Sequence, residues 1–200
     1  MIKPIVREMI GRYLAYFMQV LILGFIIWGV YLGKYLPAFE GVICLIFTFI
    51  PLMLKRKKGI HLPWTLNFLI VFSLYFHTSG RIFGLYPMFY PFYDKFGHFM
   101  GSVTVALLGF TAFVIMDRYT ELKLKKHHIV FFIVIFTLAI GAFWEIIEFT
   151  ADKLFHATNQ YSLDDTMYDL VFDLFGGLFI AFLTKVNFDT MRNKIVVKKR

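Results

Sequence analysis

Asp165-Thr-Met-Tyr-Asp169-Leu-Val-Phe-Asp173-Leu-Phe-Gly176-Gly177-Leu-Phe-Ile-Ala-Phe-Leu-Thr184 decides how the chain is read. The run is apolar enough and long enough to cross a membrane, yet it carries an acid every fourth residue through its first half. Carboxylates near bilayer hydrocarbon are costly, so acids gathered there as a rule have a use. Two more stretches share the character: Asp94-Lys-Phe-Gly-His98 and Glu145-Ile-Ile-Glu148.

Working outward, the 200 residues are 59% hydrophobic, 20% aromatic and only 17% charged, with a mean hydropathy of +0.69. A soluble domain is excluded by that balance, and the Phe-rich bias suits a polytopic membrane protein. Windows of about 20 apolar residues predict six spans. They run over Tyr13–Gly33, Pro37–Leu54, Trp64–Phe83, Phe96–Met116, Ile129–Phe149 and Thr166–Thr184. Nothing is left over for a soluble domain, so the expectation is an all-α bundle of six transmembrane helices forming one integral membrane domain. Lys3, Arg7 and Arg12 precede the first apolar run as in a secretory leader. No small-residue cleavage site follows, and the run is read as a retained helix.

Basic residues set the expected orientation. The N-terminal arm, Lys55-Arg56-Lys57-Lys58, the Asp117–His128 loop and the tail from Lys185 to Arg200 carry 17 of the 21 Lys and Arg. Only Lys34, Arg81, Lys95 and Lys153 fall on the other side. This predicts a plasma (inner) membrane protein with both termini cytoplasmic. The same segments, Lys198-Lys199-Arg200 included, account for the net charge of +8 through anionic membrane lipid as partner and not nucleic acid. No protein partner is indicated. Cys44, the single cysteine, has no mate for an intrachain disulfide.

The same topology divides the acids. Glu8, Asp117, Glu121 and Asp189 fall on the cytoplasmic side, and the other nine fall on the outer side or in outer helix halves. Residues four apart on a helix differ by about 40° in direction. Asp94 therefore projects with His98, and Asp165 with Asp169 and Asp173; Glu145 and Glu148, three apart, also share a face. A polar chamber near the outer face is predicted, with His77 and Arg81 of the third span at its edge. Gly97/Gly101 and Gly176-Gly177 offer small-residue steps for close helix approach. Simpler explanations cover part of the set. Asp94, Asp164 and Asp165 stand where acids cap helices, and Arg81 and Lys95 can neutralise two or three carboxylates. Neither explanation covers Asp169, Asp173, Glu145 and Glu148 together. His98 alone reads equally as an interior hydrogen-bonded histidine.

These motifs resemble the YjdF-type family of small inner-membrane proteins. That family carries a Tyr-Asp-Lys-x-Gly-His-Phe block, a Glu-x-x-Glu helix and an Asp-Thr-x-x-Asp-x-x-x-Asp helix ending in small residues. Here they are Tyr93–Phe99, Glu145–Glu148 and Asp165 through Gly177. The order is more distantly similar to VanZ-like membrane proteins, with a tighter Asp94-Lys95 to His98 spacing and Glu148 where Gln is common. The resemblance implies a membrane location and a shared polar constellation, and brings no assigned reaction.

Three functions compete. One imidazole among carboxylates is a hard N/O donor set, suited to a divalent metal (Zn, Mn, Mg or Fe) and not to copper. On that reading His98, Glu145, Glu148, Asp169 and Asp173 supply ligands. Asp94, Glu148 or Asp165 serves as general acid or base, and Arg81 and Lys95 hold an anionic substrate group. The protein would then be a metal-dependent hydrolase or transferase acting on a lipid or envelope substrate. The Glu-x-x-His spacing of di-iron bundles is absent. The alternatives are a non-catalytic membrane factor with a structural or regulatory acidic pocket, and a proton-coupled transporter.

Overall fold

The computed structural model describes residues 4–120 and 125–197. Lys3, Glu121 and Lys198-Lys199-Arg200, used in the charge reading, lie outside the described residues. Among those described, eight helices carry nearly all the chain: α1 (Pro4–Tyr31), α2 (Tyr35–Phe47), α3 (Ile50–Lys58), α4 (Trp64–Phe83), α5 (Leu85–Met88), α6 (Phe92–Thr120), α7 (Lys126–Phe155) and α8 (Leu163–Asn193). Two-residue strands β1 (Ile60–His61) and β2 (Val196–Val197) pair antiparallel, Ile60 opposite Val197. The all-helical expectation holds.

Five stretches are long and apolar enough to cross a membrane: Met9–Tyr31, Tyr35–Arg56, Phe92–Arg118, Lys126–Phe155 and Leu163–Asn193. The third expected span, Trp64–Phe83, coincides with α4, which is not among these five although its 20 residues suffice in length. Asn67, Ser73, His77, Thr78, Ser79 and Arg81 lower its hydropathy and keep it out of the five. The second expected span is interrupted. Pro51 has no N–H to give the Phe47 carbonyl and disfavours helical geometry at Ile50. The chain therefore leaves α2 at Thr48 and restarts at Ile50.

The chain forms two compact units, residues 1–93 with 193–200, and residues 94–192. In the first, α1, α2 and α4 pack on one another around Ile22, Ile26 and Ala38, with Leu45 and Tyr75 against them. Gly41 lets α2 approach Ile26 and Thr78 closely. Lys34 donates to the Ile82 carbonyl at 2.8 Å, satisfying the end of α4. Val20, Ile27, Phe39 and Ile46 are exposed apolar side chains on outward faces, the pattern of helices solvated by hydrocarbon.

In the second unit, each long helix buries a row spaced by four residues. In α6 the row is Asp94, His98, Ser102, Ala106, Phe110 and Val114; in α7 it is Ile129, Ile133, Thr137, Gly141 and Glu145. In α8 it is Asp165, Asp169, Asp173, Gly177 and Ala181, with Thr184 beyond. Such i±4n rows are the ridges by which helices interlock. Polar residues open the rows of α6 and α8 and close that of α7. Since α7 runs antiparallel to both neighbours, all the polar ends meet at one end of the unit. Close approach depends on glycine: a Cβ at Gly176 would lie 2.8 Å from the Phe99 carbonyl and 3.0 Å from the Val103 nitrogen. At Gly177 it would lie 3.2 Å from Thr137. The expected glycine step on α6 is corrected at Gly101, where a Cβ would meet open space. The far end is tied by Arg192, which reaches Asp117 at 2.9 Å.

Candidate functional site

The polar ends of the three rows form one buried cluster. Asp94, Lys95, His98, Glu145, Asp165, Asp169 and Asp173 are each between 2% and 9% exposed. Lys95 is the hub on one side. Its ammonium lies 2.5 Å from Asp165 Oδ1, 2.8 Å from Asp169 Oδ1 and 3.2 Å from Asp94 Oδ2. Three carboxylates thus share its three protons.

His98 is the hub on the other side. Its Nδ1 lies 3.3 Å from Asp173 Oδ1, and Ser102 Oγ donates to that same oxygen at 2.5 Å. A neutral ring donating from Nδ1 leaves Nε2 with a lone pair. Around Nε2 stand Glu145 Oε1 at 3.6 Å, Asp169 Oδ1 at 3.6 Å and Asp94 Oδ1 at 3.8 Å. All three exceed hydrogen-bonding distance. Asp94, His98 and Asp169 have ligand atoms within 4.8 Å of one another, as do His98, Glu145 and Glu148.

Glu145 is held by one oxygen only. Oε2 accepts from Gln160 Nε2 at 3.1 Å, whereas the buried Oε1 has no hydrogen-bond partner among the described residues. The loop carrying Gln160 is folded back by Asp152, whose carboxylate accepts from the backbone N–H groups of Asn159 and Gln160, each at 2.9 Å. After the loop, Ser162 caps the start of α8. Its Oγ accepts from Asp165 N–H at 3.1 Å, while Asp165 Oδ2 accepts from Tyr161 N–H at 3.2 Å. Between the α7 end and this loop lies an open cleft of ≈ 520 Å³, lined by Glu145, Phe149, Lys153, Gln160, Tyr161 and Thr166 among others. Glu145 thus belongs both to the buried cluster and to a surface cleft.

The structure brings together Asp94, Lys95, His98, Glu145, Asp165, Asp169 and Asp173, with Glu148 half-buried beside them and accepting from Trp144 at 3.0 Å. Lys95 points into the carboxylates, in keeping with the neutralising role read for it and not with that of holding an anion. Arg81 and His77 belong to the first unit. There Arg81 grips Glu40 with two bonds, at 2.8 and 3.2 Å, and His77 lies 3.0 Å from the Tyr86 hydroxyl. Ser102, Gly141, Asp152, Gln160 and Ser162 were not anticipated. Ser102 and Gly141 continue the fourfold spacing from His98 and Glu145, and Ser162-x-x-Asp165 is a capping-box pattern. Asp152 and Gln160 had no readable signal, because a loop's return path is set by tertiary contacts.

A family model described as a predicted membrane protein matches residues 13–190, nearly the whole chain. The chain belongs to the DUF2238 family of predicted membrane proteins. An uncharacterized protein of Thermotoga maritima is 30% identical to this DUF2238 member over 130 residues, 64% of this chain. The chain spans 66% of that relative's length. No solved structure matches. Membership agrees with the YjdF-type resemblance and does not extend to a VanZ-like one. What is shown is a membrane protein with apolar helices and a buried acidic/His cluster whose groups are close enough to hold a metal.

Proposed function

We propose that this DUF2238 protein is a six-helix integral protein of the plasma membrane, both termini cytoplasmic. On this reading its acidic/His cluster, near the outer face, holds a divalent cation used in hydrolysis or transfer on a lipid or envelope substrate. The observation that carries the reading is the buried Oε1 of Glu145, which accepts no hydrogen bond among the described residues and faces Nε2 of His98 at 3.6 Å. Leaving such an oxygen unpaired is costly unless a cation takes it. Atoms bound tetrahedrally at about 2.0–2.1 Å stand roughly 3.3–3.4 Å apart. His98 Nε2 stands 3.6–3.8 Å from one oxygen each of Glu145, Asp169 and Asp94, wider by only a few tenths; His98 is common to two ligand groups, one with Asp94 and Asp169 and one with Glu145 and Glu148.

Charge supports the same reading. Five buried carboxylates face one lysine and one histidine, so the acids outnumber the bases even with both bases charged. Asp173, expected as a ligand, acts here as the carboxylate that orients His98 through Nδ1. Asp165 and one oxygen of Asp94 are committed to Lys95, which leaves Glu148 as the general base. A bound cation would supply Lewis acidity and a nucleophilic water; the cleft beside Glu145 would admit the polar part of a substrate. A second reading, the non-catalytic factor, draws on Lys95, which already neutralises one side of the cluster. The carrier reading has least support, because the buried rows turn apolar towards Phe110, Val114, Ile129 and Ile133.

Elemental analysis of purified protein tests the proposal. One or two equivalents of divalent metal are expected, lost in Glu145→Gln while the variant stays monodisperse in detergent. Protein that carries no metal and takes up none on dialysis against Zn²⁺, Mn²⁺, Mg²⁺ or Fe²⁺ would overturn it in favour of the scaffold.

A further inference from the structure

Among the described residues, Glu145 is the one member of the buried cluster that also lines the ≈ 520 Å³ cleft. Asp94, His98, Asp169 and Asp173 do not line it, and His98 Nε2 lies 3.6 Å from Glu145 Oε1. A solute moving from the cleft to His98 must therefore pass Glu145. Gln160 covers that point. Its Nε2 donates to Glu145 Oε2 at 3.1 Å and to the Glu145 carbonyl at 3.2 Å. Asp152, about two turns further along α7, fixes the backbone of the same residue. Its carboxylate accepts from Asn159 N–H at 2.9 and 3.1 Å and from Gln160 N–H at 2.9 Å.

The segment so held, residues 156–162, joins α7 to α8 and has no buried residue. Hydrogen bonds to Asp152 and Glu145, and not apolar packing, keep it on α7, and such segments open at far less cost than the whole fold. The latch also leaves the inner side of Glu145 alone. Gln160 takes Oε2, whereas Oε1, the atom facing His98, is unengaged among the described residues. An ion can thus pass, settle against Oε1, and have the loop close again behind it. The charged lining of the cleft suits a cation: two acids, Glu145 and Asp152, against Lys153, whose ammonium lies over the Phe149 ring at 5.5 Å.

We propose that the α7–α8 loop gates the acidic/His cluster, with Gln160 as its latch on Glu145 and Asp152 as its anchor, so that small cations pass only when the latch opens. As regulation of a metal site this rests on the cation reading above.

The test has two arms, both on the full chain in detergent. In the first, protein loaded with Zn²⁺ is mixed with excess EDTA and release is timed. Gln160→Ala and Asp152→Ala should each speed release and uptake about tenfold or more, the value of one hydrogen bond to a charged group, with affinity for Zn²⁺ near that of wild type. Arg192→Gln, which loosens the same unit from its far end, should leave both rates unchanged. The second arm needs no metal. Cys44→Ser with Ser102→Cys places a single thiol beside Asp173, and its labelling by the small cation methanethiosulfonate ethylammonium should accelerate similarly in both loop variants. Protein that binds no Zn²⁺ yet labels faster keeps the gate and removes the cation reading. Bound Zn²⁺ with release and labelling unchanged in both loop variants overturns the gate and keeps the cation reading. Equal acceleration in Arg192→Gln also overturns the gate.

Discussion

Replacing Gly141 by alanine adds one methyl group where Asp173 already stands. The new Cβ would overlap Asp173 Oδ2 and lie 2.8 Å from its Cγ and 3.1 Å from its Cβ. Asp173 cannot simply swing aside, because Oδ1 holds Ser102 at 2.5 Å and His98 at 3.3 Å. Overpacking of this kind costs about 1–3 kcal/mol, and a lost hydrogen bond to a charged group adds about 1.5–3 kcal/mol. Against this, alanine in a helix interior is favoured over glycine by about 1 kcal/mol. The clash wins, leaving a net loss of about 1.5–5 kcal/mol. Gly101→Ala in α6 is the matched control, since its Cβ meets open space and only the propensity gain of about 1 kcal/mol remains. Unfolding of both variants by SDS titration in mixed micelles should therefore move in opposite directions from wild type. A Gly141→Ala protein as stable as Gly101→Ala would refute the close packing of α7 on the Asp173 carboxylate.

Lys95→Met strands Asp94, Asp165 and Asp169 without their shared counter-charge, and breaking a buried pair from one side costs about 3–5 kcal/mol. The same titration checks it, and a loss under about 1 kcal/mol would mean that Lys95 is not the hub. Ser162→Ala removes the acceptor of the Asp165 N–H and should cost about 1 kcal/mol, with metal content unaltered by elemental analysis.

Much of the cluster was legible because helix geometry is local. Asp94 with His98, and Asp165 with Asp169 and Asp173, share faces by spacing alone, and the burial of these rows follows. Lys95 was readable as a neutraliser of carboxylates, but which ones it would meet was not. It stands about 100° round the helix from Asp94, and only the position of α8 brings Asp165 and Asp169 to it. Arg81 drew attention as an outer cation, but Glu40 from another helix takes it. Such partnerships depend on which helices adjoin, which spacing does not encode. The α2–α3 interruption was readable in Pro51, and hydropathy averaging hid it. Gly101 and Gly176 look alike in sequence, yet only Gly176 faces a neighbouring backbone.

The fourfold rows impose a constraint on how this architecture can vary in length. Deleting one residue from α7 between Thr137 and Glu145 would turn the carboxylate by about 100° and draw it back about 1.5 Å. Glu145 would then face away from His98 while the upper part of the helix kept its place. The same arithmetic holds for α6 between His98 and Phe110, and for α8 between Asp169 and Ala181. Inside the three helices the reading frame of the rows is indivisible.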